Sequence, residues 1–245
     1  DDWLFYRSIM DVQKVHVERL PQPDFEKLLA SLDALNRYLK QKDIQLIVLP
    51  IPLKDAIYPE KLPSSSPDLP ESSRYQQLRQ WLGAHDSIIT IDAYDHLINR
   101  KTSTRVFHKT DFHWNDPVGF LFAEKLVNRL WEFQSGESEP LWDQQLTVEE
   151  RVSSGGQANF LPLLAKPEER SLFLDITWEP AKGKHIYNTK SEVWTYTYDG
   201  AGDERGRLGG VVVMGDSFFD AMHRSGVDSY FSSVHRTNVQ PDRYP

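Results

Sequence analysis

The sequence predicts an α/β fold built on a mostly parallel central sheet. Short apolar runs, typical of buried strands, recur along the 245-residue chain, and amphipathic stretches with helical spacing separate them. The clearest runs are Ile44 to Leu49, Ser87 to Ile91 and Val211 to Met214. Because helices and strands alternate, we expect a single domain over residues 1–245, with a small antiparallel β insertion at approximately residues 165–205.

The predicted helices flank these strands. One begins at Asp24, the expected N-cap, and its apolar residues at helical spacing mark one face as buried. That face comprises Phe25, Leu28, Leu29, Leu32, Leu35 and Leu39. A second helix is predicted around Tyr75 to Leu82, and a third begins after Asn115 or Asp116, with Pro117 in its first turn.

Composition and charge exclude several classes of function. The net charge is −8, with 36 acidic and 28 basic residues, which argues against a protein that binds nucleic acid through its phosphates. The chain has no Cys, so thiolate nucleophiles and Cys-based metal sites are excluded. No glycine-rich loop of the Walker or dinucleotide type is present, and we expect no cofactor. No stretch is long and apolar enough to cross a membrane.

Ser217 lies in the stretch with the strongest functional signal. The apolar run from Val211 is followed by Gly215, which is expected to allow a tight turn, then by Asp216, Ser217 and the first turn of a helix. A strand, a sharp turn and a helix expose a serine at the carboxyl end of a sheet, where open α/β sheets hold their ligands. Asp216 is interpreted as a turn residue. The alternative is an ordinary βα loop with Ser217 near a helix N-cap.

Asp111 and His113 could supply the base that such a serine needs. They immediately precede the helix that starts near Asn115, in loop or extended backbone, where residues two apart share a face. An aspartate at that spacing can orient the neighbouring imidazole. The alternatives are a histidine with only a structural role and a metal site formed with His108, a spacing that matches no familiar zinc motif. We therefore expect no metal.

Two blocks together resemble a known family. Gly215-Asp216-Ser217-Phe218 resembles the first block of the SGNH (GDSL-like) hydrolase superfamily, and Asp111-Phe112-His113-Trp114 resembles its Asp/His block, here in reversed order. That permuted order is similar to the alginate O-acetyltransferase family of AlgX and AlgJ. Asp2 to Tyr6 and Val48 to Lys54, followed by Tyr58, are also similar to that family. The resemblance implies a three-layer α/β/α fold of the SGNH type.

The resemblance also implies roles for individual residues. Ser217 would be the nucleophile, His113 the base and Asp111 its orienter. An oxyanion hole would use the Ser217 backbone N–H and a glycine-bearing loop, with Gly156 and Asn159 as candidates. Three further residues are candidates for substrate contact: Trp114 in the Asp-x-His-Trp block, and Lys54 and Tyr58 after the first strand. The alternative for the last two is a solvated lysine and a packed tyrosine.

The implied function is O-acetylation of an exported bacterial polysaccharide in the periplasm, with an export signal or N-terminal membrane anchor outside this sequence. Expected partners are the polysaccharide, a membrane protein that supplies the acetyl donor, and other proteins of exopolysaccharide biosynthesis. Alginate is a possible acceptor, but a neutral glycan such as cellulose fits the negative net charge at least as well. A basic groove would need some of Lys54, Arg100, Lys101, Arg105 and Lys109. The rival functions are a carbohydrate acetylesterase with the same triad and a non-catalytic polysaccharide-binding or assembly subunit.

Overall fold

The structure is a computed structural model that describes residues 3–5, 19–64, 73–162, 165–175, 183–188, 193–198 and 208–238. The chain divides into two compact units. The first comprises Asp1–Phe112 and Ser154–Glu169, and the second comprises His113–Ser153 and Arg170–Pro245. The single domain expected over residues 1–245 stays a prediction.

The first unit contains four α-helices and a pair of parallel strands within its described part. Strands β1 (Ile47–Val48) and β2 (Ile89–Thr90) pair in parallel, with Ile47 opposite Ile89. Both strands lie inside the predicted runs and are shorter than them. The helices are α1 (Gln22–Lys40), α2 (Lys54–Ile57), α3 (Arg74–Gly83) and α4 (Tyr94–Arg100).

Helix α1 differs from its prediction in two respects. Its N-cap is Pro21, which offers no side-chain acceptor, and Asp24 lies within the first turn, so the predicted cap is wrong. The predicted apolar face is also not buried: Leu28 and Leu35 are exposed, and Asn36 is the buried residue of the helix. Asn36 Nδ2 donates to the hydroxyl of Ser87, so a polar contact holds α1 beside β2.

In the second unit, helix α5 (Asp116–Ser135) begins where the sequence predicts. Asn115 is its N-cap, and the Asn115 side-chain oxygen accepts a hydrogen bond from the Val118 N–H at 3.2 Å. Pro117 occupies the first turn, where a missing N–H costs nothing. Strands β3 (Val148–Ser153) and β4 (Glu169–Leu174) form a two-stranded sheet.

A four-stranded sheet carries the strand that leads to Ser217. Its order is β5-β6-β8-β7, and β7 pairs in parallel with β8, whereas β6 pairs antiparallel with β8 and β5 antiparallel with β6. Helix α6 (Phe219–Arg224) lies between β7 and β8 in the chain, as a parallel pairing requires. The strands are β5 (Gly183–Asn188), β6 (Val193–Tyr198), β7 (Leu208–Gly215) and β8 (Phe231–Asn238).

The α/β class is confirmed, and the sheet around β7 is mixed because strands of the predicted insertion join it. β5 and β6 fall within approximately residues 165–205, yet they continue the sheet through β8. The predicted burial of β7 is wrong on one face, since Val212 is 68% exposed and Met214 is 65% exposed. Residues 176–182, 189–192 and 199–205 of the predicted insertion lie outside the described residues.

Helices α5 and α6 approach so closely that only glycine fits at one position. A Cβ added at Gly119 of α5 would collide with the Cβ of Ala221 on α6 and lie 2.6 Å from its carbonyl carbon. The flanking part of α5 buries Val118, Phe120 and Phe122. None of the helices in the described part of the chain has the length and apolar character that a bilayer crossing requires.

We expect Gly119→Ala to lower the free energy of unfolding by about 1–3 kcal/mol, because the added methyl group overpacks the contact between α5 and α6. Gly83→Ala in α3 is the matched control. No atom lies within 4 Å of a Cβ built at Gly83, so helix propensity should leave this variant neutral or more stable by up to about 1 kcal/mol. Urea denaturation of both variants measures the difference, and equal effects would contradict the close approach.

Candidate active site

Ser217 lies in the turn between β7 and α6, and the turn is built by Asp216. The Asp216 carboxylate Oδ1 accepts a hydrogen bond from the Phe218 N–H at 3.0 Å, and its carbonyl oxygen accepts one from the Phe219 N–H at 3.3 Å. These bonds fold the chain back within three residues and leave Ser217 exposed. The interpretation of Asp216 as a turn residue is confirmed.

Gly215 does not have the role that the sequence suggested. Its φ lies outside the left-handed region, where Gly136 and Gly226 are found. A Cβ added at Gly215 would meet only Val213 Cγ1, at an ordinary contact distance of 3.8 Å. The turn therefore depends on the side chain of Asp216 and not on the conformational freedom of Gly215.

His113 and Ser217, which are 104 residues apart in the chain, meet in the second unit. The distance between His113 Nε2 and Ser217 Oγ is 2.6 Å, within the range in which a serine hydroxyl donates to an imidazole. His113 is half-buried, and its ring lies against the ring of Phe218, with centroids 5.0 Å apart. The arrangement gives an exposed hydroxyl a proton acceptor of fixed orientation.

Trp114 packs inside the fold beside this pair, so its side chain is not available to contact a substrate. Its side chain is 1% exposed, and its indole Nε1–H donates to the carbonyl oxygen of Phe218 at 2.9 Å. The ring stacks on Phe122 of α5, with centroids 5.2 Å apart and planes 5° from parallel. The expectation that Trp114 touches substrate is therefore wrong, because its polar atom is hydrogen-bonded and its ring is buried inside the fold.

Arg236 holds the other side of the turn. From β8, its Nη2 donates to the carbonyl oxygen of Asp216 at 3.3 Å and forms an ion pair with the Asp220 carboxylate at 2.6 Å. Sequence reasoning missed Arg236, and only the parallel pairing of β7 with β8, which sets Val213 opposite Arg236, could have indicated it.

Asp111 lies in the first unit, at the end of a tightly held segment, residues 109–111. Its carboxylate Oδ2 accepts a hydrogen bond from the backbone N–H of Gly156 at 2.5 Å. That amide, proposed from the sequence as an oxyanion donor, is therefore already bound, and this expectation is wrong for the structure. Asn159 is exposed, and its role stays a prediction, as does the role of Asp111 as the orienter of His113.

The glycines of the 153–159 loop are required by close packing against segment 109–111. The Gly155 N–H donates to Thr110 Oγ1 at 2.7 Å, and a Cβ at Gly155 would lie 2.6 Å from the Thr110 carbonyl. A Cβ at Gly156 would lie 2.7 Å from Asp111 Oδ2. The loop thus binds one of the chain's own carboxylates, whereas the family resemblance implied an oxyanion donor there.

Lys54 is buried, so its interpretation as a solvated lysine is wrong. Its side chain is 2% exposed, and Nζ donates to three backbone carbonyl oxygens, at 2.7 Å, 2.7 Å and 2.9 Å. The acceptors belong to Leu4, Lys109 and Asp111. Three acceptors need three N–H groups, which only the ammonium form provides. Burial lowers the pKa of Lys54 to about 7, and the carboxylates of Glu169 and Asp111 limit that fall.

The carboxylate of Glu169 binds the N–H groups of the same segment. Sequence reasoning missed this residue. Its carboxylate accepts hydrogen bonds from the N–H groups of Lys109 and Thr110 and from the Thr110 hydroxyl, all between 2.7 and 2.8 Å. Arg105 forms an ion pair with the same carboxylate at 3.1 Å. No sequence motif marks a carboxylate whose main partners are backbone amides.

Tyr58 is a packed tyrosine, which was the alternative to its predicted contact with substrate. It is 5% exposed, its hydroxyl accepts a hydrogen bond from the Val106 N–H at 3.0 Å, and its ring contacts Trp3. Burial raises the pKa of Tyr58, so the phenol stays protonated. Within the described ranges, no three His, Asp or Glu side chains are grouped to hold a metal ion.

Asp55, next to Lys54 in α2, is a buried carboxyl group with an incomplete set of partners. It is 3% exposed, and among the described residues its Oδ1 has no hydrogen-bond partner. Burial raises the pKa of Asp55 to about 6, although hydrogen bonds from its own N–H and that of Ala56 act in the opposite direction. The folded chain therefore keeps the Asp55 proton below about pH 6.

The fold is that of SGNH hydrolase-like proteins, and solved structures share it. PatB1 from Bacillus cereus superposes with a TM-score of 0.61 at 15% identity, covering 91% of this chain and 83% of that one. A structure of PatB1 with a sulfonyl adduct gives the same TM-score. The O-acetyltransferase domain of Pseudomonas putida AlgJ gives 0.51 at 19% identity, covering 97% and 77%.

The chain belongs to the AlgX family, described as "SGNH hydrolase-like domain, acetyltransferase AlgX", whose model matches residues 1–169. His113 lies within the matched residues and Ser217 beyond them. Two curated relatives are probable alginate O-acetylases named AlgJ. The one from Pseudomonas syringae pv. tomato is 26% identical over 176 residues and the one from Pseudomonas aeruginosa 28% over 183. Each match covers 69% of this chain but only 44% and 43% of the relatives, so the chain spans less than half their length.

We expect Lys54→Met to lower the free energy of unfolding by about 3 kcal/mol or more, because it removes the ammonium donor from three part-buried carbonyl oxygens, of which that of Lys109 keeps another donor, the Leu4 N–H. Lys101→Met is the matched control, since Lys101 Nζ donates to the Ile57 carbonyl and pairs with a half-exposed Glu60. The Lys101→Met change should lower the free energy of unfolding by about 1 kcal/mol or less. Denaturant unfolding at pH 6, where the ammonium form of Lys54 predominates, gives both values, and equal losses would contradict the role of Lys54.

Asp55 should contribute a fall in the free energy of unfolding as the pH rises from about 4 to 6. In that range the folded chain keeps the Asp55 proton that the unfolded chain, with an ordinary pKa of 3.8, releases. The slope is at most about 1.4 kcal/mol per pH unit. Asp55→Asn, which has the same shape without the titration, should remove this component of the slope. Unfolding free energies of both chains at pH 4, 5 and 6 provide the measurement, and parallel curves would contradict the raised pKa.

Proposed function

We propose that this chain is a serine-dependent O-acetyltransferase that acetylates hydroxyl groups of an exported bacterial polysaccharide, with Ser217 as nucleophile, His113 as base and Asp111 as the orienter of His113. The observation that carries the proposal is the 2.6 Å distance between His113 Nε2 and the oxygen of an exposed Ser217. Membership of the AlgX family and the names of the two AlgJ relatives support the acetyl group as the one transferred.

The proposed reaction has two acyl-transfer steps. In the first, Ser217 Oγ attacks the carbonyl carbon of an acetyl ester or thioester, His113 Nε2 takes the serine proton, and the donor's alcohol or thiol leaves with that proton. In the second, His113 takes a proton from a sugar hydroxyl, whose oxygen attacks the acetyl-serine. Ser217 Oγ then leaves and regains its proton. Positioned base catalysis of this kind typically contributes about 10²- to 10⁴-fold.

Ser217 also offers a backbone donor for the oxyanion. The turn bonds of Asp216 involve the N–H groups of Phe218 and Phe219, whereas no acceptor for the Ser217 N–H occurs in the described part of the chain. An N–H beside the nucleophile can stabilise the negative oxygen of the tetrahedral intermediate, and one such donor is worth about 10²- to 10³-fold. We propose this amide, and not that of Gly156, as an oxyanion donor.

Several of the basic residues that could have formed a groove for a polyanion are bound within the first unit. Lys54 donates to backbone carbonyls, Lys101 pairs with Glu60, and Arg105 pairs with Glu169. An anionic acceptor gains little from cations that are already paired. This charge distribution favours a neutral glycan such as cellulose over alginate, and both remain acceptors to compare. A membrane protein that supplies the donor, other exopolysaccharide proteins and a periplasmic location belong to the same proposal.

Ser217→Ala should slow acetate release from p-nitrophenyl acetate by at least about 10³-fold, because the nucleophile is lost while the fold is kept. Ser135→Ala, at an exposed serine whose hydroxyl donates to the Trp131 carbonyl, is the control and should retain full activity. Mass spectrometry of the unaltered chain should find one acetyl group on the Ser217 peptide.

The outcome that would exclude the nucleophile is a Ser217→Ala chain that releases acetate at the parent rate. Adding cello-oligosaccharide or alginate oligosaccharide to the same assay separates the remaining functions. Acetylated sugar indicates a transferase and identifies its acceptor, whereas acetate release with no transfer to either sugar indicates an esterase. Binding to sugar without any acetyl chemistry would indicate a polysaccharide-binding subunit.

A further inference from the structure

One hydrogen bond links the two residues that follow His113 and Ser217 in the chain. Trp114 follows His113 in the chain, and Phe218 follows Ser217. The indole Nε1–H of Trp114 donates to the Phe218 carbonyl at 2.9 Å, and His113 Nε2 lies 2.6 Å from Ser217 Oγ. Each partner of the indole bond is thus covalently linked to one partner of the serine–histidine contact. The two backbones can separate only if the indole bond breaks.

The indole that makes this bond is itself rigidly held. Trp114 is 1% exposed, its ring stacks on Phe122, and it meets the ring of Phe218 edge-on, with centroids 5.6 Å apart. Asn115, the next residue, is the N-cap of α5, so the backbone at Trp114 is fixed by the start of a 20-residue helix. Because this donor has so little freedom, the position of α5 determines the position of the turn that carries Ser217.

Phe218 is also buried and contacts the side chains of both His113 and Trp114. Its ring is 5% exposed and lies against both the imidazole of His113 and the indole of Trp114. Apolar contact alone would allow the rings to slide past one another, because dispersion has little directionality. The hydrogen bond removes this freedom, since its geometry constrains both distance and angle.

We infer that Trp114 is a positioning residue whose indole N–H fixes the distance between His113 and Ser217, and that this bond sets the rate at which Ser217 is acylated. The inference rests on the proposed function of Ser217 as a nucleophile. Trp114 touches neither substrate nor the reacting atoms. Its effect should appear in the rate of the chemical step and not in the affinity for substrate, because a displacement of about 1 Å at such a pair costs up to about 10²-fold.

The test measures covalent labelling of Ser217 by phenylmethylsulfonyl fluoride, followed by mass spectrometry, in which Ser217 Oγ displaces fluoride and its proton passes to His113. Trp114→Phe removes the N–H and part of the ring. Replacing Trp114 with benzothienylalanine, which has sulfur in place of the N–H, keeps the size and shape of the indole. We expect both to lower the limiting labelling rate by about 10- to 10²-fold, with little change in the half-saturating concentration.

Trp142→Phe is the matched control. Trp142 is also buried in the second unit and stacks on Tyr230, with ring centroids 4.8 Å apart, but among the described residues its Nε1 has no acceptor. This variant loses similar packing and no hydrogen bond, so its labelling rate should stay within about two-fold of the parent's. Rates are compared at a temperature well below the unfolding midpoint of every variant, which separates positioning from stability.

Two results would overturn the inference, and they are distinguishable. If the unaltered chain is labelled at Ser217 and the benzothienylalanine chain is labelled at the same rate, the indole N–H does not position the pair, although the proposed nucleophile stands. If the unaltered chain is not labelled at Ser217, the proposed nucleophile fails and the inference fails with it. Slow labelling confined to the two Trp114 replacements would support both.

Discussion

The ammonium group of Lys54 connects stretches of the first unit that are far apart in sequence. Its three acceptors are the carbonyl of Leu4, near the start of the described chain, and those of Lys109 and Asp111, more than fifty residues after the lysine. A buried cation is costly unless its donors are satisfied, so the folded state depends on these carbonyls being held in place. The nearby aromatic rings of Trp3 and Phe5, each about 5.1 Å from Nζ, add a favourable environment for the charge.

The same constraint gives segment 109–111 almost no freedom. Lys54 binds its carbonyls, Glu169 binds its first two N–H groups, and the 153–159 loop binds the side chains of Thr110 and Asp111. Glu169 also compensates part of the charge of Lys54, as the direction of its effect on the lysine pKa shows. The segment ends two residues before His113, the proposed base. Preorganisation of this kind avoids the cost of ordering catalytic groups during the reaction.

Sequence reasoning succeeded where the signal was local. The strand, turn and helix around Ser217 follow from an apolar run and an Asx turn, and the start of α5 follows from Asn115 and Pro117. It failed where the partner of a side chain is a distant backbone group. Lys54 looked like a solvated lysine because a carbonyl acceptor leaves no trace in the sequence, and Glu169 was missed for the same reason. The 153–159 loop was expected to supply an oxyanion donor because a glycine in the sequence gives the same signal whether it makes room for a ligand or for Thr110.

Asp111 and Ser217 are proposed to serve the same histidine, yet their supports are of different kinds. Asp111 is held by charge: a buried lysine fixes its carbonyl and a backbone amide fixes its carboxylate. Ser217 is held partly by charged groups, the carboxylate of Asp216 and the guanidinium of Arg236, and partly by the neutral indole of Trp114 on the Phe218 carbonyl. Ionic support weakens when a charge is removed, whereas a neutral hydrogen bond between buried groups is insensitive to pH and salt. A change in pH or salt should therefore weaken the charged contacts of Asp111 and of Asp216 and leave the indole bond of Trp114 in place.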